Sequence, residues 1–325
     1  MTGLHDSLIV IDGLVISKWN RAVFADMRSG GLTAANCTCS IWEGFAETMR
    51  NIARWKCWFN ENTDLITPVR TTADIRRAKA EGKTGIILGF QNTSAFEDEV
   101  GYIALFKDLG VGVVQITYNT QNLAGTGCYE RRDTGLSGFG YEVVAEMNRV
   151  GILCDLSHVG GVTSRDVILA SKRPVAYTHI LPAALKEHPR NKSDEEIRFI
   201  VEHGGFVGVT MFPPFLAGGN NSTVEDYVVA IDHVIRIAGE ENVGIGTAFT
   251  QDQDDAFFEY ICHDKGYGWR VTGPFGNVVN PAGMRRLGDF PNLTAAMERA
   301  GWPETKIRKI MGENWLRVLD DAWRE

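Results

Sequence analysis

The chain has 325 residues, 44% of them hydrophobic and 23% charged, with a formal net charge of −8. That composition is ordinary for a globular protein, and the length suits one large domain or two small ones with a sizeable buried core. The acidic balance offers no electrostatic footprint for nucleic acid, which is excluded as an expected partner.

No N-terminal stretch combines a charged start, an apolar run and a small-residue cleavage site. The apolar run from Leu8 is interrupted by Asp12 and Lys18, well short of a membrane span. A cytoplasmic protein with no membrane partner is expected. The six cysteines (Cys37, Cys39, Cys57, Cys128, Cys154 and Cys262) show no paired metal-ligand spacing and read as buried, reduced thiols.

Short β-branched runs alternate with helical patterns along the chain. Strands are predicted over 8–14 and 34–42, followed by an amphipathic helix over 43–60, a short run at 65–69 and a helix opening at Thr72. Near-continuous apolar strands follow at 84–91 and 111–119, with a helix over 99–109 between them. Further strands at 152–158, 174–179, 205–212 and 243–249 are again spaced by helices. Apolar runs without polar alternation are buried on both faces, as a parallel sheet requires.

Leaving out 65–69, eight strands remain, and strand–helix alternation at that number reads as a closed (β/α)8 barrel of the α/β class. A single domain over residues 1–325 is expected. An open doubly wound sheet is the alternative, but no Gly-rich phosphate turn follows the first strand. The polar, aromatic region 251–280 reads as a long loop or lid, and 193–203 and 292–301 as capped surface helices.

In such barrels polar residues at the carboxyl ends of the strands line the site. That position is held by Asp12, Trp42, Gln91, Tyr118, Asn119, His158, His179 and Thr247. A single strand-end histidine is more often a hydrogen-bonded structural residue. Two on successive strands, His158 and His179, can bind one divalent metal through imidazole nitrogen. The other histidines His5, His203, His233 and His263 are expected in solvent. Arg190, in the loop after His179, can clamp a carboxylate through its planar fork; the competing reading is a surface arginine paired with Asp194 or Glu195. Aromatics crowd the same rim: Trp19, Trp42, Phe90, Tyr118, Tyr177 and Phe212. Three or more facing the mouth would suit a small apolar group or a methylated ammonium.

The segments DLSHVGGVTSRDV around His158 and YTHILPAALKEHPRN from Tyr177 to Asn191 carry a resemblance, with SDEEI, GGFVGVTMF, VGIGTAF, FPNLTAAM and KIMGENWLRVL after them. With the spacing of His158, His179 and Arg190, the chain resembles the membrane (renal) dipeptidase family, peptidase family M19 of the amidohydrolase superfamily, over essentially its full length. The resemblance implies a distorted (β/α)8 barrel with a binuclear zinc site that hydrolyses small dipeptides. It puts His158 and His179 on the two histidine ligands of the second zinc, and Arg190 on the arginine that holds the substrate carboxylate.

Other positions depart from the family pattern. The His-x-Asp pair after the first strand is replaced in Asp12-Gly13-Leu14-Val15-Ile16, so Leu14 and Ile16 stand where the first zinc has ligands. Gln91 matches the bridging glutamate, Tyr118 the histidine near the reacting carbonyl, and Ala248 the last-strand aspartate. Aliphatic side chains supply neither charge nor coordination, so the two-metal mechanism is expected to be absent. One zinc on His158, His179 and Gln91 is one expectation; a metal-free site is the other. A lone alanine between Thr247 and Phe249 is what an inactivating replacement leaves, and a natural form with Asp at 248, a general base, is expected.

These readings converge on a divergent dipeptidase-like hydrolase. It would cleave a C–N bond in a small amino-acid derivative, with an N-methylated one suggested by the aromatic rim. The substrate carboxylate would dock on Arg190, with Asn119, Trp42 and Tyr177 contributing to binding and His158, His179 and Tyr118 to chemistry. Two alternatives stand beside it: a metal-free lyase or isomerase using Tyr118, His158 and Asp12, and a non-catalytic binder of a small carboxylate. The resemblance also allows a homodimer.

Overall fold

The computed structural model describes residues 3–324. Its nine strands are β1 Ile11–Val15, β2 Ala34–Ser40, β3 Ile66–Pro68, β4 Thr84–Phe90, β5 Val111–Gln115, β6 Leu153–Asp155, β7 Val175–Ile180, β8 Phe206–Val209 and β9 Val243–Ile245. They pair in parallel in the order β1-β2-β4-β5-β6-β7-β8-β9, with the short β3 attached to β4 off this path. Eight strands in one parallel ring, with helices between them, make a distorted (β/α)8 barrel, as the apolar runs predicted. The seam closes by a parallel bridge between Val15 and Phe249. There Ile16 N–H donates to the Phe249 carbonyl at 2.9 Å, and Ala248 N–H to that of Leu14 at 2.9 Å.

Every residue of β1, β2, β4 and β5 is buried, because helices cover one face and the barrel interior the other. Ile11, Ala34, Ile87, Val113, Leu153, Ala176 and Phe206, one from each of seven strands, fill the interior together with Trp315 of the C-terminal helix Asn314–Trp323. Trp315 Nε1 donates to the Ile245 carbonyl at 2.8 Å. Gly13 is required by this plug, since a Cβ there would stand 2.5 Å from the Trp315 ring. Truncating such a tryptophan to alanine costs about 3–5 kcal/mol.

The predicted helices appear with shifted ends. The helix expected over 43–60 runs Phe45–Glu61, the one at Thr72 runs Thr72–Ala80, and 99–109 shortens to Tyr102–Asp108. Asp194–Glu202 opens on a capping box between Ser193 and Glu196. The helix expected over 292–301 is Phe290–Arg299, starting earlier because Pro291 suits a first turn.

Three expectations are corrected. Region 251–280 is not all loop: Asp254 caps a helix, Asp255–Cys262, whose apolar face buries Phe258, Ile261 and Cys262. His5 is not in solvent; its ring nitrogens sit 2.7 Å from the Thr294 hydroxyl and 2.8 Å from the Gly30 carbonyl, which satisfies both on burial. All six cysteines are free, but Cys57 is exposed and Cys128 half-buried. Among the described residues no helix is long and apolar enough to cross a membrane.

Candidate active site

Two buried aspartates shape the carboxyl-end rim. Asp155, ending β6, accepts on Oδ1 from Ser157 N–H at 2.9 Å, Thr178 N–H at 3.1 Å and the Ser157 hydroxyl at 2.5 Å. Its Oδ2 accepts from the Thr178 hydroxyl at 2.7 Å. Asp12 in β1 makes the matching clamp at the seam. Its Oδ1 accepts from Leu14 N–H at 3.2 Å and Thr247 N–H at 2.8 Å, and its Oδ2 from the Thr247 hydroxyl at 2.5 Å. Each aspartate thereby fixes the threonine that precedes a rim residue, His179 in one case and Ala248 in the other. Burial raises both carboxyls, Asp12 to about 7, while these hydrogen bonds pull the opposite way.

The two histidine rings converge above these clamps. His158 Nδ1 lies 2.7 Å from Asn119 Oδ1, and Asn119 Nδ2 donates to the Ile261 carbonyl at 3.3 Å, which sets the amide's orientation. An amide oxygen only accepts, so His158 Nδ1 carries its proton and Nε2 is left with a lone pair. That Nε2 is 3.1 Å from Nε2 of His179. Tyr118 stacks on His158 with ring centroids 4.2 Å apart, and Trp42 sets its edge on Tyr118 at 5.0 Å. Burial, then the Arg190 charge, hold both histidines well below their ordinary pKa and therefore neutral near pH 7. Burial raises the Tyr118 phenol, which stays protonated.

Arg190 is 1% exposed, not the surface residue that pairing with Asp194 or Glu195 would need. Asp194 instead lies 3.3 Å from His233. Arg190 Nη2 donates to the His179 carbonyl at 2.8 Å, and its backbone N–H to His188 Nδ1 at 3.1 Å. Its Nε and Nη1 are buried and have no hydrogen-bond partner among the described residues. The guanidinium lies 5.7 Å from the ring centroid of Phe215, which is part of the cavity wall. An unpaired buried charge of this kind is costly unless a ligand completes it.

The cavity at this point has a volume of about 40 Å³. It is bordered by His158, His179, Gln91, Tyr118, Asn119, Leu14, Ile16 and Ala248, and by Thr210, Thr250, Phe212, Phe215, Phe257, Ile261, Phe275 and Tyr129. Ligand pockets usually measure roughly 300–1,000 Å³, so the enclosure must widen to admit substrate. Phe275 is the partition. It also borders outer hollows of 370 and 310 Å³ and packs edge-on against Phe212 at 5.5 Å. Gly273 and Gly276 flank it with open space around each, and Gly276 has φ +64°.

Of the residues expected at the site, His158, His179, Gln91, Tyr118, Asn119 and Ala248 line this cavity together. Asp12 lies beneath it, so the constellation of Tyr118, His158 and Asp12 does not form. Trp42 stands behind Tyr118. Tyr177 faces outward, because strand alternation turns Ala176 and Thr178 inward; its ring lies under the Lys192 ammonium at 5.1 Å and borders a separate hollow. Of the six rim aromatics only Tyr118 and Phe212 border the cavity. Trp19 packs on Trp55 at 5.1 Å and Phe90 on Phe106 at 5.0 Å. Tyr129, Phe215, Phe257 and Phe275 were missed: they lie in loops or the lid helix, where reading strand ends does not look.

Fold and site together define a distorted (β/α)8 barrel with a histidine-lined cavity at the carboxyl ends of its strands. The chain belongs to the membrane dipeptidase family, peptidase family M19, whose model matches residues 21–257 and 256–324. An uncharacterized dipeptidase of Schizosaccharomyces pombe is 30% identical over 244 residues, 73% of this chain and 53% of that protein. This chain thus spans about half the length of that curated relative. A crystal structure of an amidohydrolase from Pseudomonas aeruginosa is 63% identical, with a TM-score of 0.97 over 99% of this chain and 98% of that one. A metallo peptidase from Rhodobacter sphaeroides, solved with a phosphinate mimic of the dipeptide L-Ala-D-Ala, shares the fold at a TM-score of 0.80 and 21% identity, over 97% and 99% of the two chains.

A two-metal centre does not fit the donors present here. Leu14, Ile16 and Ala248 have no donor atom in their side chains, and the amide of Gln91 is neutral and donates to the Thr38 hydroxyl at 2.9 Å. Among the described residues no three His, Cys, Asp or Glu side chains gather closely enough to hold a metal.

Proposed function

We propose that this chain hydrolyses a C–N bond in a small amino-acid derivative with a free carboxylate, using one metal ion at most. The observation that carries the reading is the buried Arg190, whose Nε and Nη1 lack partners next to the histidine pair. A planar carboxylate satisfies two such N–H groups at once. Arg190 does not itself border the cavity, so the carboxylate reaches it only if the wall at Phe215, whose ring lies 5.7 Å from the guanidinium, gives way.

With the carboxylate there, the rest of a short substrate extends over His158 and His179. The lone pair on His158 Nε2 is placed to take a proton from an attacking water as its oxygen bonds the acyl carbon, against the burial that disfavours the charged ring. The same proton is then available to the departing nitrogen as the C–N bond breaks. The Tyr118 phenol, protonated by burial, is a hydrogen-bond donor for the substrate oxygen. Leu14, Ile16 and Ala248 with Phe212, Phe257 and Phe275 give the remaining walls an apolar and aromatic character. Such walls favour a small apolar substituent on nitrogen, an N-methyl group above all, and the ring faces favour a methylated ammonium.

Calorimetric titration with dimethylglycine- and betaine-like ligands tests the reading. Heat with these and none after Arg190→Met supports it; no heat with any of them counts against it. Metal analysis of the purified protein separates its two forms: near-stoichiometric zinc assigns one ion to His158 and His179, and none assigns acid–base chemistry to the side chains alone.

A further inference from the structure

We propose that the outer hollow of 370 Å³ beside Phe275 is a second subsite, in which the Nε2–H of His188 binds an acceptor oxygen at the end of the substrate's side chain. The inference rests on the reading that Arg190 holds the substrate carboxylate. Size is the first argument. The inner cavity measures about 40 Å³, and only when joined to an outer hollow does it reach the roughly 300–1,000 Å³ of ordinary ligand pockets. Phe275 borders both spaces. A Cβ added at Gly273 or Gly276 would meet nothing within 4 Å, so the segment that carries the ring has room to turn.

His188 has a fixed polarity. Its Nδ1 accepts the backbone N–H of Arg190 at 3.1 Å, and a backbone N–H only donates, so the ring proton sits on Nε2. Burial, then the Arg190 and Lys186 charges, push its pKa down to about 4, which keeps this one neutral tautomer near pH 7. The ring is also packed in place. Phe215 lies 4.8 Å from it between centroids, and Tyr129 meets it edge to face at 6.0 Å. Nε2 makes no hydrogen bond to any described residue.

The other polar side chains of the hollow do not select a ligand. Asn220 has both ends of its amide spent, Nδ2 on the Asn277 carbonyl at 2.6 Å and Oδ1 on the Val279 N–H at 3.0 Å. The Thr272 hydroxyl both gives and accepts hydrogen bonds, so it tolerates either kind of group. His188 only donates, which favours a carbonyl or carboxylate oxygen and gives nothing to a methyl group. The Arg190 and Lys186 charges beside it favour the carboxylate of the two. A further hollow at Phe275, of 310 Å³, is lined by Asp255 and Glu259, whose charges oppose such an oxygen. The group nearest a carboxylate held by Arg190 is the side chain on the adjacent carbon, and this is what the His188 hollow would take. The substrate class is thereby narrowed to an N-substituted amino acid whose slender side chain ends in an amide or a carboxylate.

The test is calorimetric titration of the full chain with the N,N-dimethyl derivatives of glycine, norleucine, glutamine and glutamate. The norleucine derivative matches the last two in length but carries no acceptor. In the wild type the glutamine and glutamate derivatives should bind roughly three- to tenfold more tightly than it does, the worth of one hydrogen bond. His188→Phe, which keeps a ring against Phe215, should abolish that ratio, and His188→Gln, which keeps a donor, should restore part of it. Comparing ratios within each variant cancels any effect of losing the bond to the Arg190 N–H. A gain for either derivative supports the subsite, and the larger gain identifies its preferred oxygen. A wild-type ratio near one overturns the inference, as does a ratio that survives in His188→Phe. Should the phenylalanine variant not fold, the wild-type ratio decides alone. Binding of dimethylglycine without any such ratio sinks the subsite and leaves the carboxylate reading standing, whereas no binding by any of the four sinks both.

Discussion

Nε2 of His158 and Nε2 of His179 face each other at 3.1 Å, while the far nitrogen of each ring is already engaged, by Asn119 in one case and Thr178 in the other. With the His158 proton on Nδ1, the His158 Nε2 lone pair accepts a proton held on His179 Nε2, and a metal ion that displaced this proton would take its place between the two nitrogens. His158 and His179 would together hold a single divalent ion through their imidazole nitrogens. Titration with Zn²⁺ or Co²⁺ should therefore saturate at no more than one ion per chain, and the double variant His158→Gln, His179→Gln should bind none. Two equivalents bound tightly would contradict the donor set described above.

Arg190→Met removes the buried charge and keeps much of the side-chain volume. The variant should melt at the wild-type temperature or above it, because the wild-type guanidinium has two unpartnered nitrogens. Binding of a small carboxylate should weaken roughly ten- to a hundredfold, the worth of hydrogen bonds to a charged group. A large loss of stability with binding intact would make Arg190 a purely structural residue.

Asp12 gives a pH dependence with a definite sign. Its pKa rises from 3.8 to about 7 on folding, chiefly through burial. The unfolded chain releases this proton near 3.8 and the folded one holds it to about 7, so the stabilisation is complete below the first value and lost as pH rises through the second. Asp12→Asn cannot titrate. In urea melts its stability relative to wild type should improve as pH rises across that interval, and a constant difference would mean that Asp12 ionises normally in the fold.

Phe275→Ala should join the inner cavity to the outer hollows that the ring now separates. Stopped-flow binding should show faster association and faster release of small ligands, with bulkier ones newly accepted. Unchanged association would place the entry route elsewhere.

Ala248 has φ +53°, a left-handed conformation that alanine adopts at a cost. Ala248→Gly should raise thermal stability by up to ~1 kcal/mol. Asp is several-fold enriched in this region of backbone space, in keeping with the expectation that a natural form has Asp there. Sequencing the source locus settles that point, and Ala in the genome would remove it.

The barrel was legible because parallel strands buried on both faces leave long apolar runs, as at 84–91 and 111–119, that no surface strand can show. His158 and His179 were legible because they stand at or just past the ends of successive strands, whereas Arg190 lies in the loop after His179 and was legible through the family resemblance. Tyr177 misled: it sits two residues before His179 and shares its parity, but the pairing register shifts between Tyr177 and Ile180, so neighbours on one strand part company. The lid aromatics were not legible for a different reason. Phe257 and Phe275 reach the cavity through loop geometry set by tertiary packing, and no periodicity marks them. His5 reads as a solvated terminal residue until its partners, Gly30 and Thr294, arrive from far along the chain.

The clamp between Asp12 and Thr247 has one more implication. It is a socket: its aspartate, its hydroxyl and its backbone bonds are all in place, and the position it holds steady ends in a methyl group. The scaffold and the tool are thus separately encoded, the first in buried residues that the fold cannot lose, the second in a single side chain at the rim. A barrel built in this way can change its chemistry by one substitution at 248 without refolding around it.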